Sequence, residues 1–483
     1  MPSRRTDFFL SAAIFVAGCA YFAAFSPWTR PVLLDAATWD YMALQVAQGL
    51  VPYRDIFLHK TPGGAFVGAA GAMAGSLLGI EPVLAAHALF LALGALGPVL
   101  LYRLCRKSMP RGAALASAVA LLTFNEWVIA ALQGCLPKIV TIVFGLASML
   151  AAENGSALAA SLWGGCSVLC WQPGLAFLVG AWVSLLRGGE RGLLRWIAIG
   201  ATSLLPSVLL LSWLAAHGAL RDFFEQAVMF NFTYIHEKAR PVFGTVRALV
   251  RTAGIWNDVE LLLAPAALAG FALRSLRRDE ATQWRFPLSM SVSAAIYLAM
   301  TFVSYQSWPD AMLFAPMVAA LLGAGLFALL STLLVPAAAT SIAVIVLVLA
   351  TIPNDRPTFH PPVDFATQRV QFRSLADGLT PADSVVAVSV PEFFIHTGRR
   401  NGWKWPYLWF GVDDFASDHH ENGFQGILDD LDRDKPALIL VARLWAGPQR
   451  VLFEKWAAAR YDLRVVRLYP HTRKPLRVYR LRR

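Results

Sequence analysis

The sequence predicts an α-helical protein that crosses a membrane about eleven times and carries a small extramembrane α/β domain at its C-terminal end. Of its 483 residues, 57% are hydrophobic and only 15% are charged, whereas soluble domains contain about 25% charged residues. The mean hydropathy is +0.53. Apolar runs recur from Phe8 to Ile352, and a spanning helix needs about 20 such residues. Residues 354–483 contain no run of that length.

The predicted spans follow directly from these runs. In chain order they cover residues 7–26, 83–104, 112–131, 138–153, 156–171, 173–187, 193–216, 258–275, 287–305, 311–334 and 337–352. The segment Gly63–Gly79 is apolar but short and rich in glycine. Counting it as a span would place the next basic loop on the wrong side, so we predict a half-inserted helix there.

Basic residues gather in the short loops between alternate spans. The clusters are Arg4 and Arg5; Arg103, Arg106, Lys107 and Arg111; Arg187, Arg191 and Arg195; and Arg274, Arg277 and Arg278. Short loops rich in Arg and Lys remain in the cytoplasm, so all four clusters fit one orientation, with the N-terminus inside and the C-terminus outside. The net charge of +11 is then explained by topology, and no nucleic-acid partner is expected.

The chain divides into a transmembrane part, residues 1–353, and an outer domain, residues 354–483. In the outer domain, β-rich stretches alternate with helical patterns, which is typical of a small α/β fold. We predict strands at Ser384–Val390, Ala437–Val441 and Leu463–Leu468, and helices around Phe424–Leu431 and Gln449–Ala459.

Two groups in the outer domain leave alternatives open. The stretch from Asp413 to Glu421 gathers oxygen and nitrogen ligands suited to a divalent ion, but an exposed polar loop is the stronger interpretation. The alternating aromatic residues from Trp403 to Trp409 suit either a sugar ring or packing onto the membrane part. No cofactor is predicted with certainty, and no metal-binding residue is assigned.

Several function classes are disfavoured by what the sequence lacks. The five cysteines lie in or beside predicted spans, so no disulfide framework is implied. The spacing of Cys166 and Cys170 is one helical turn, which favours ordinary packing over a metal site. The sequence has no Gly-rich nucleotide loop, zinc-protease motif or nucleophile elbow. A carrier would also place more ionisable residues within its spans.

The first outer loop, residues 27–62, carries most of the candidate chemistry. Trp39, Met42, Ala43 and Val46 follow the spacing of an amphipathic helix, which we expect to lie along the membrane surface with Asp35 at its start. Further on, the loop gathers three candidate cationic groups, Arg54, His59 and Lys60. A simpler interpretation remains open, in which Asp35 caps the helix and the basic groups face lipid headgroups.

The loop resembles the first outer loop of the GT-C superfamily, which are multi-spanning glycosyltransferases such as protein O-mannosyltransferases and aminoarabinose transferases. The resemblance runs from Asp35 through the sequence Gly-Leu-Val-Pro-Tyr-Arg-Asp-Ile-Phe-Leu-His-Lys-Thr-Pro-Gly, residues 49–63. In those enzymes an acidic residue follows the first span and a lysine motif ends the loop. Asp35 and Lys60 match these positions. The second acidic position is occupied here by Gln133–Lys138, and the late Tyr/His motif by Tyr305–Asp310.

The resemblance implies an enzyme of the bacterial inner membrane that transfers a sugar from a polyprenyl-phosphate donor to a lipid, glycan or protein hydroxyl. It implies Asp35 as the catalytic base of an inverting displacement. Lys60 is the first candidate for binding the donor phosphate, with Arg54 and His59 as weaker ones. Membrane lipids are the remaining expected partner.

Other residues of the outer loops are weaker candidates. Asp40, Tyr53 and Asp55 could contact the acceptor or sugar, although a solvated face suits Asp40 and local structure suits Asp55. A later outer loop, residues 217–257, is rich in aromatic residues and predicts another interfacial helix, either at the site or as an anchor. The alternative function is a non-enzymatic transporter or flippase, or a scaffold for envelope assembly.

Overall fold

The structure, a computed structural model, describes residues 4–189, 192–234, 244, 247, 258–276, 286–304, 308–349, 361–409, 411–443, 447–471 and 474–482. Within these residues the N-terminal part is helical. Its helices are α1 (Arg4–Ala23), α2 (Leu34–Ala47), α3 (Gly63–Leu78), α4 (Pro82–Cys105), α5 (Arg111–Thr123), α6 (Asn125–Leu132), α7 (Pro137–Glu153), α8 (Ala157–Cys170), α9 (Leu175–Arg187), α10 (Leu193–Ala216), α11 (Leu220–Phe223), α12 (Phe230–Thr233), α13 (Asp258–Leu276), α14 (Leu288–Ser304), α15 (Ala315–Leu330) and α16 (Pro336–Leu349). A π-helical stretch, Phe224–Met229, joins α11 to α12, and a 3-10 helix, Trp308–Phe314, precedes α15.

Each predicted apolar run coincides with a helix, with one exception. The run 112–131 is broken into α5 and α6, which meet at an angle of 54°. Phe124 between them is extended, with φ −65° and ψ 117°, and an apolar run cannot reveal such a bend because its hydropathy is continuous. Within the described residues, four helices have the length and composition to cross a membrane alone, and the bent pair makes five. The total of about eleven spans stays a prediction.

The surface of these helices is apolar where it is exposed. Large hydrophobic side chains project outward, among them Phe8 on α1, with 68% exposed, and Leu209 on α10, with 62% exposed. Contiguous exposed apolar surface of this kind requires a nonaqueous environment. The protein is therefore an integral membrane protein.

The two ends of α4 identify the two faces of the helical part. At its first end, Glu81 forms an ion pair with Arg369 of the C-terminal part, at 3.0 Å. At its far end, Arg106 lies 3.5 Å from Asp7 near the start of α1. A 24-residue helix is about 36 Å long. The start of the chain and the C-terminal part therefore lie at opposite ends of the bundle.

Helix α3 has 16 residues, which makes it about 24 Å long and shorter than a membrane span. It begins next to the end of α8, where a side chain on Gly63 would collide with the backbone of Leu169 and Cys170. It ends at Gly79, which adopts φ +69°, just before the Glu81 pair with the C-terminal part. The end of α3 thus lies near the C-terminal part, and the half-inserted helix for Gly63–Gly79 stays a prediction.

The C-terminal part contains a four-stranded sheet covered by helices. The strands are β1 (Val385–Val388), β2 (Leu438–Val441), β3 (Tyr461–Val466) and β4 (Leu476–Leu481), in the order β1-β2-β4-β3. The helices are α17 (Phe365–Leu375), α18 (Pro391–Thr397), α19 (Val412–Asp418), α20 (Gly423–Asp434) and α21 (Pro448–Arg460). β1 and β2 are parallel, whereas β4 is antiparallel to both β2 and β3. The predicted α/β character is confirmed, but β4 was not predicted.

The C-terminal part packs directly on the first outer loop. Helix α18 lies against α2, and the side-chain amide of Gln368 exchanges two hydrogen bonds with the backbone of Val32, at 2.8 and 2.9 Å. Phe57 is fully buried among Phe230 and Trp405, with ring centroids 5.3 and 5.2 Å away. The sheet-bearing part therefore forms one wall of the region around the loop.

Candidate active site

Asp35 lies in the first turn of α2 and is exposed. The residue at the N-cap position is Leu33, which makes no capping hydrogen bond. Among the described residues, no hydrogen bond or ion pair involves the Asp35 carboxylate. The carboxylate is close enough to interact electrostatically with Lys138 and Tyr407. Its place within the first turn does not match the N-cap role, and the carboxylate is available to a ligand.

Asp40 is buried and does not lie on the solvated helix face that the sequence suggested for it. The residue is only 1% exposed. Its Oδ2 lies 2.9 Å from Nε2 of His87, and its Oδ1 accepts a hydrogen bond of 2.9 Å from the amide of Cys135. Gly134, with φ +109°, leaves space for this pair, since a side chain there would overlap both groups. Asp40 therefore joins α2 to α4 and to the loop before α7.

Tyr53 and Asp55 both shape the loop. Tyr53 is fully buried at φ +72°, and its hydroxyl donates a 2.8 Å hydrogen bond to the carbonyl of Lys60. The Asp55 carboxylate accepts from the amide of Val51 at 2.8 Å. The hydrogen bond from Arg54 lowers the pKa of Asp55. The local role considered for Asp55 agrees with this geometry, and the hydroxyl of Tyr53 is directed at the backbone of the loop.

Arg54 does not join Lys60 in a cationic cluster. Its guanidinium is paired with Asp55 at 2.8 Å and donates to the carbonyl of His217 at 2.9 Å. It also interacts electrostatically with Asp222. The side chain thus bridges the first outer loop to the end of α10, since its planar group can serve two acceptors at once.

His59 is held by the C-terminal part. Its Nδ1 lies 2.6 Å from the hydroxyl of Tyr407. Burial, together with the neighbouring charge of Lys60, lowers the pKa of His59 to about 3. Burial and the charge of Asp35 raise the pKa of Tyr407. These shifts favour the neutral forms of both groups at physiological pH, and the assignment of His59 to the donor phosphate stays a prediction.

Lys60 shares an aromatic ring with a second lysine. The ammonium nitrogens of Lys60 and Lys138 lie 5.5 and 5.2 Å from the centroid of the Trp171 ring. Trp171 itself is 7% exposed. Within the described part of the chain, no carboxylate lies close enough to Lys60 to form an ion pair. Two positive groups therefore lie on one aromatic side chain, attracted by its negative face.

Lys138 is the buried member of this pair. It occupies the first turn of α7 and is 8% exposed. Its Nζ lies 3.9 Å from a carboxylate oxygen of Asp310, in the 3-10 helix before α15. It also interacts electrostatically with Lys60 and Asp35. The site therefore gathers groups from segments that are nearly 300 residues apart, at positions 35, 60, 138, 171 and 310.

Glycines allow two helix ends to meet beside the lysines. A side chain on Gly64, in the first turn of α3, would lie 2.6 Å from Pro137, in the first turn of α7. A side chain on Gly63 would come equally close to the backbone at the end of α8. The first turns of α3 and α7 therefore converge where Lys60 and Lys138 lie. Helix N-termini carry partial positive charge and favour anions, phosphates in particular.

The later outer loop supports the first one. The side-chain amide of Gln226 donates to the carbonyl of Tyr53 at 2.8 Å and accepts from the amide of Leu58 at 3.1 Å. Asn231 donates to the carbonyl of His59 at 2.7 Å. The helical segment predicted in this loop is confirmed for residues 220–233 and positions the His59–Lys60 backbone. Residues 235–243, 245, 246 and 248–257 of that loop lie outside the described residues, as do Arg191, Arg277, Arg278 and Tyr305–Ser307.

The acidic stretch of the C-terminal part does not converge on one point. Asp413–Asp418 belong to helix α19, not to the polar loop that was expected. Asp418 accepts from the hydroxyl of Tyr234, and His420 pairs with Asp430. Within the described residues, no three His, Cys, Asp or Glu side chains are grouped as metal ligands would be.

Two members of the site, Lys138 and Trp171, were not predicted from sequence. Lys138 stands at the end of the Gln133–Lys138 segment, where the resemblance led us to expect an acidic residue. Its position just before an apolar run was the only signal in the sequence. The aromatic residues of 403–409 pack on the first outer loop, since Trp405 contacts Phe57 and Tyr407 bonds to His59.

No protein-family model matches the sequence, and no curated protein matches it. Among solved structures, the chain is similar to ArnT from Cupriavidus metallidurans bound to undecaprenyl phosphate, with 13% identity and a TM-score of 0.60 over 99% of this chain and 98% of that one. The same protein in the apo state gives 14% identity and a TM-score of 0.58 over the same shares of the two chains. An oligosaccharyltransferase from Archaeoglobus fulgidus, at 11% identity, covers 94% of this chain and 72% of its own, with a TM-score of 0.49. The similarity to the two ArnT structures confirms the predicted fold, a helical membrane part followed by a small C-terminal α/β part.

Proposed function

We propose that this chain, which folds like the ArnT crystallised with undecaprenyl phosphate, is a membrane glycosyltransferase that uses a polyprenyl-phosphate-linked sugar. The observation that carries the proposal is the arrangement of one exposed carboxylate, Asp35, with two ammonium groups, Lys60 and Lys138, that share Trp171. A group that accepts a proton thus lies near groups that bind an anion. These are the two requirements for transfer from a phosphate leaving group.

On the donor side, cations alone can assist cleavage of the sugar-to-phosphate bond because the leaving group is a phosphate. When the bond between the anomeric carbon and the phosphate oxygen breaks, the electron pair stays with the phosphate. A phosphate leaves readily if its charge is stabilised, so no general acid of the glycosidase type is needed. Lys60 is well suited to this contact, because it has no competing ion pair in the described part of the chain and adjoins the first turn of α3.

Asp35 supplies the other half of the reaction. As the acceptor hydroxyl attacks the anomeric carbon, its proton passes to the Asp35 carboxylate. A single displacement of this kind inverts the anomeric centre. His59 lies beside these charges, hydrogen-bonded to Tyr407. Burial and the charge of Lys60 lower the pKa of His59 to about 3, which makes its imidazole a poor proton acceptor.

The proposed organisation places the reaction at the outer face of the bacterial inner membrane. Residues 1–353 form the catalytic membrane part and residues 354–483 an outer domain that supplies Tyr407. The acceptor is a lipid, glycan or protein hydroxyl, which would enter from the outer aqueous side. The donor would enter from the lipid, and its chain would lie along the apolar helices.

The test is a transfer assay with purified protein in nanodiscs. Polyprenyl-phosphate sugars are supplied with a panel of hydroxyl acceptors, and both the glycosylated product and the released polyprenyl phosphate are measured. The proposal expects one polyprenyl phosphate for each sugar transferred. Movement of an intact donor between leaflets without release of phosphate would instead establish a flippase. Neither release nor movement with any donor would contradict the proposal and leave a scaffold role.

A further inference from the structure

Lys138 is a buried cation whose carboxylate neighbours attract it from a distance. The side chain is largely buried, and its contact with Asp310, at 3.9 Å, is at the outer limit of an ion pair. Lys60 repels it, since both ammonium groups lie on the Trp171 ring. Asp35 and Glu126 also attract Lys138, but among the described residues its one ion pair is the long contact with Asp310. A buried charge is stabilised further when an anion contacts it directly. A second cation is therefore held close to Lys60 by the fold, although repulsion alone would separate them.

Local backbone geometry adds to the positive potential. Lys138 lies in the first turn of α7, and the first turn of α3 touches it through Gly64 and Pro137. The first amide groups of a helix have no partner within the helix. The cluster thus offers two side-chain cations and two helix N-termini to the same small region.

We propose that Lys138 is a second phosphate-binding residue that takes up the additional negative charge of the leaving group. This inference rests on the proposed function and deepens it. The donor is a phosphodiester with one negative charge, and Lys60 alone matches that charge. When the sugar-to-phosphate bond breaks, the released polyprenyl phosphate is a monoester with up to two negative charges, and Lys138 shifts from Asp310 to the new oxygen anion.

The charge balance gives Lys138 a distinctive kinetic signature. Lys60 would contact the phosphate both before and after bond cleavage, so its loss would weaken donor and product alike. Lys138 would bind more strongly as charge develops, so its loss would lower kcat and product affinity while leaving the KM for donor nearly unchanged. A charge-assisted hydrogen bond contributes enough to predict a change of about tenfold or more.

The experiment measures binding of undecaprenyl phosphate and of uncharged undecaprenol to the full chain in nanodiscs. For Lys138→Gln we expect affinity for undecaprenyl phosphate to fall about tenfold or more, with undecaprenol binding unchanged. Lys138→Arg should retain most of the affinity. Thermal unfolding and gel filtration confirm that each variant is folded.

A double variant tests the main alternative explanation for weaker phosphate binding by Lys138→Gln. In Lys138→Gln alone, the Asp310 carboxylate could repel the phosphate, so Lys138→Gln with Asp310→Asn is compared with Asp310→Asn. The inference expects the double variant to bind weakly still. Recovery of wild-type affinity in the double variant, or wild-type affinity in folded Lys138→Gln, would overturn it. Loss of affinity in a protein that transfers no sugar would refute the proposed function while leaving Lys138 as a phosphate ligand.

Discussion

Two charged clusters lie at opposite ends of the helical bundle, and they differ in how closely their charged groups contact one another. At one end, Asp7 accepts hydrogen bonds from Tyr102 and Arg111, at 2.8 and 3.3 Å, and lies 3.5 Å from Arg106. At the other end, Lys60 and Lys138 share one aromatic ring, while Asp35 is exposed. At the first end the carboxylate is held by direct hydrogen bonds within the protein. At the second end, among the described residues, neither the Asp35 carboxylate nor the Lys60 ammonium group takes part in a hydrogen bond or ion pair, so both are open to a ligand.

We expect the charges at the Asp7 end to stabilise the fold and those at the Asp35 end to serve the reaction. Ion pairs among side chains of one chain connect elements, as the Asp7 cluster connects α1, α4 and the start of α5. Like charges brought together by the fold weaken stability unless an anion lies between them. We therefore expect variants at the Asp7 end to change stability, and variants at the Asp35 end to change activity.

The largest effect is expected for Asp35→Asn. The amide has nearly the same shape but cannot accept the proton of the acceptor hydroxyl. Transfer should fall by a factor of about 10² to 10⁴, while thermal stability stays close to that of the wild type. The measurement is the initial rate of polyprenyl phosphate release.

The matched control is Asp418→Asn, because that carboxylate lies in the C-terminal part and bonds to Tyr234 instead of facing the lysines. The control should retain nearly full activity. A folded Asp35→Asn protein with normal turnover would eliminate Asp35 as the base and remove the contrast between the two ends.

The second-largest effect on activity is expected for Lys60→Ala. Loss of a charge-assisted contact to phosphate should weaken donor binding by about tenfold or more, and the rate should fall as well. Binding of undecaprenyl phosphate measures the first quantity directly. Lys404→Ala is the control, since Lys404 is paired with Asp222 at 2.7 Å. Equal affinities for wild type and Lys60→Ala would refute the phosphate assignment.

For Asp7→Asn we expect a moderate loss of stability and no loss of activity. Its loss leaves Arg106 and Arg111 close together without the carboxylate, and removal of one partner from a partly buried cluster destabilises by about 1–3 kcal/mol. The melting temperature should fall, and turnover per folded molecule should not. Reduced turnover with unchanged stability would show that this end also takes part in function.

The smallest effect concerns His59 and pH. Because the pKa of folded His59 is about 3 and that of an unfolded histidine is about 6.5, the unfolded chain binds the extra proton between these values. The contribution of His59 to stability is therefore present above about pH 6.5 and is lost as pH falls. The stability gap between wild type and His59→Asn should narrow from pH 7 to pH 5. A gap that widens would show that His59 is protonated in the folded protein.

Much of the membrane part could be predicted from the sequence because lipid imposes long apolar runs on helices. The break at Phe124 was missed, since both sides of the bend are apolar. In the C-terminal part, β4 was missed because Arg477 and Arg480 are three residues apart, which breaks the strict alternation that predicts a strand.

The site was only partly predictable because its environment comes from distant segments. Asp35 and Lys60 were identified from one continuous loop. The neutral state of His59 depends on burial and on contact with Tyr407, 348 residues later, and the place of Lys138 depends on Trp171 and Asp310. No local pattern contains such contacts, since they arise only when the helices pack.

An experimental structure of the full chain with bound undecaprenyl phosphate tests the central claim most directly. We predict that the phosphate lies between the ammonium groups of Lys60 and Lys138, beside the first turns of α3 and α7, with the Asp35 carboxylate facing the space next to it. A phosphate bound at another surface, or one that contacts neither lysine, would contradict the account.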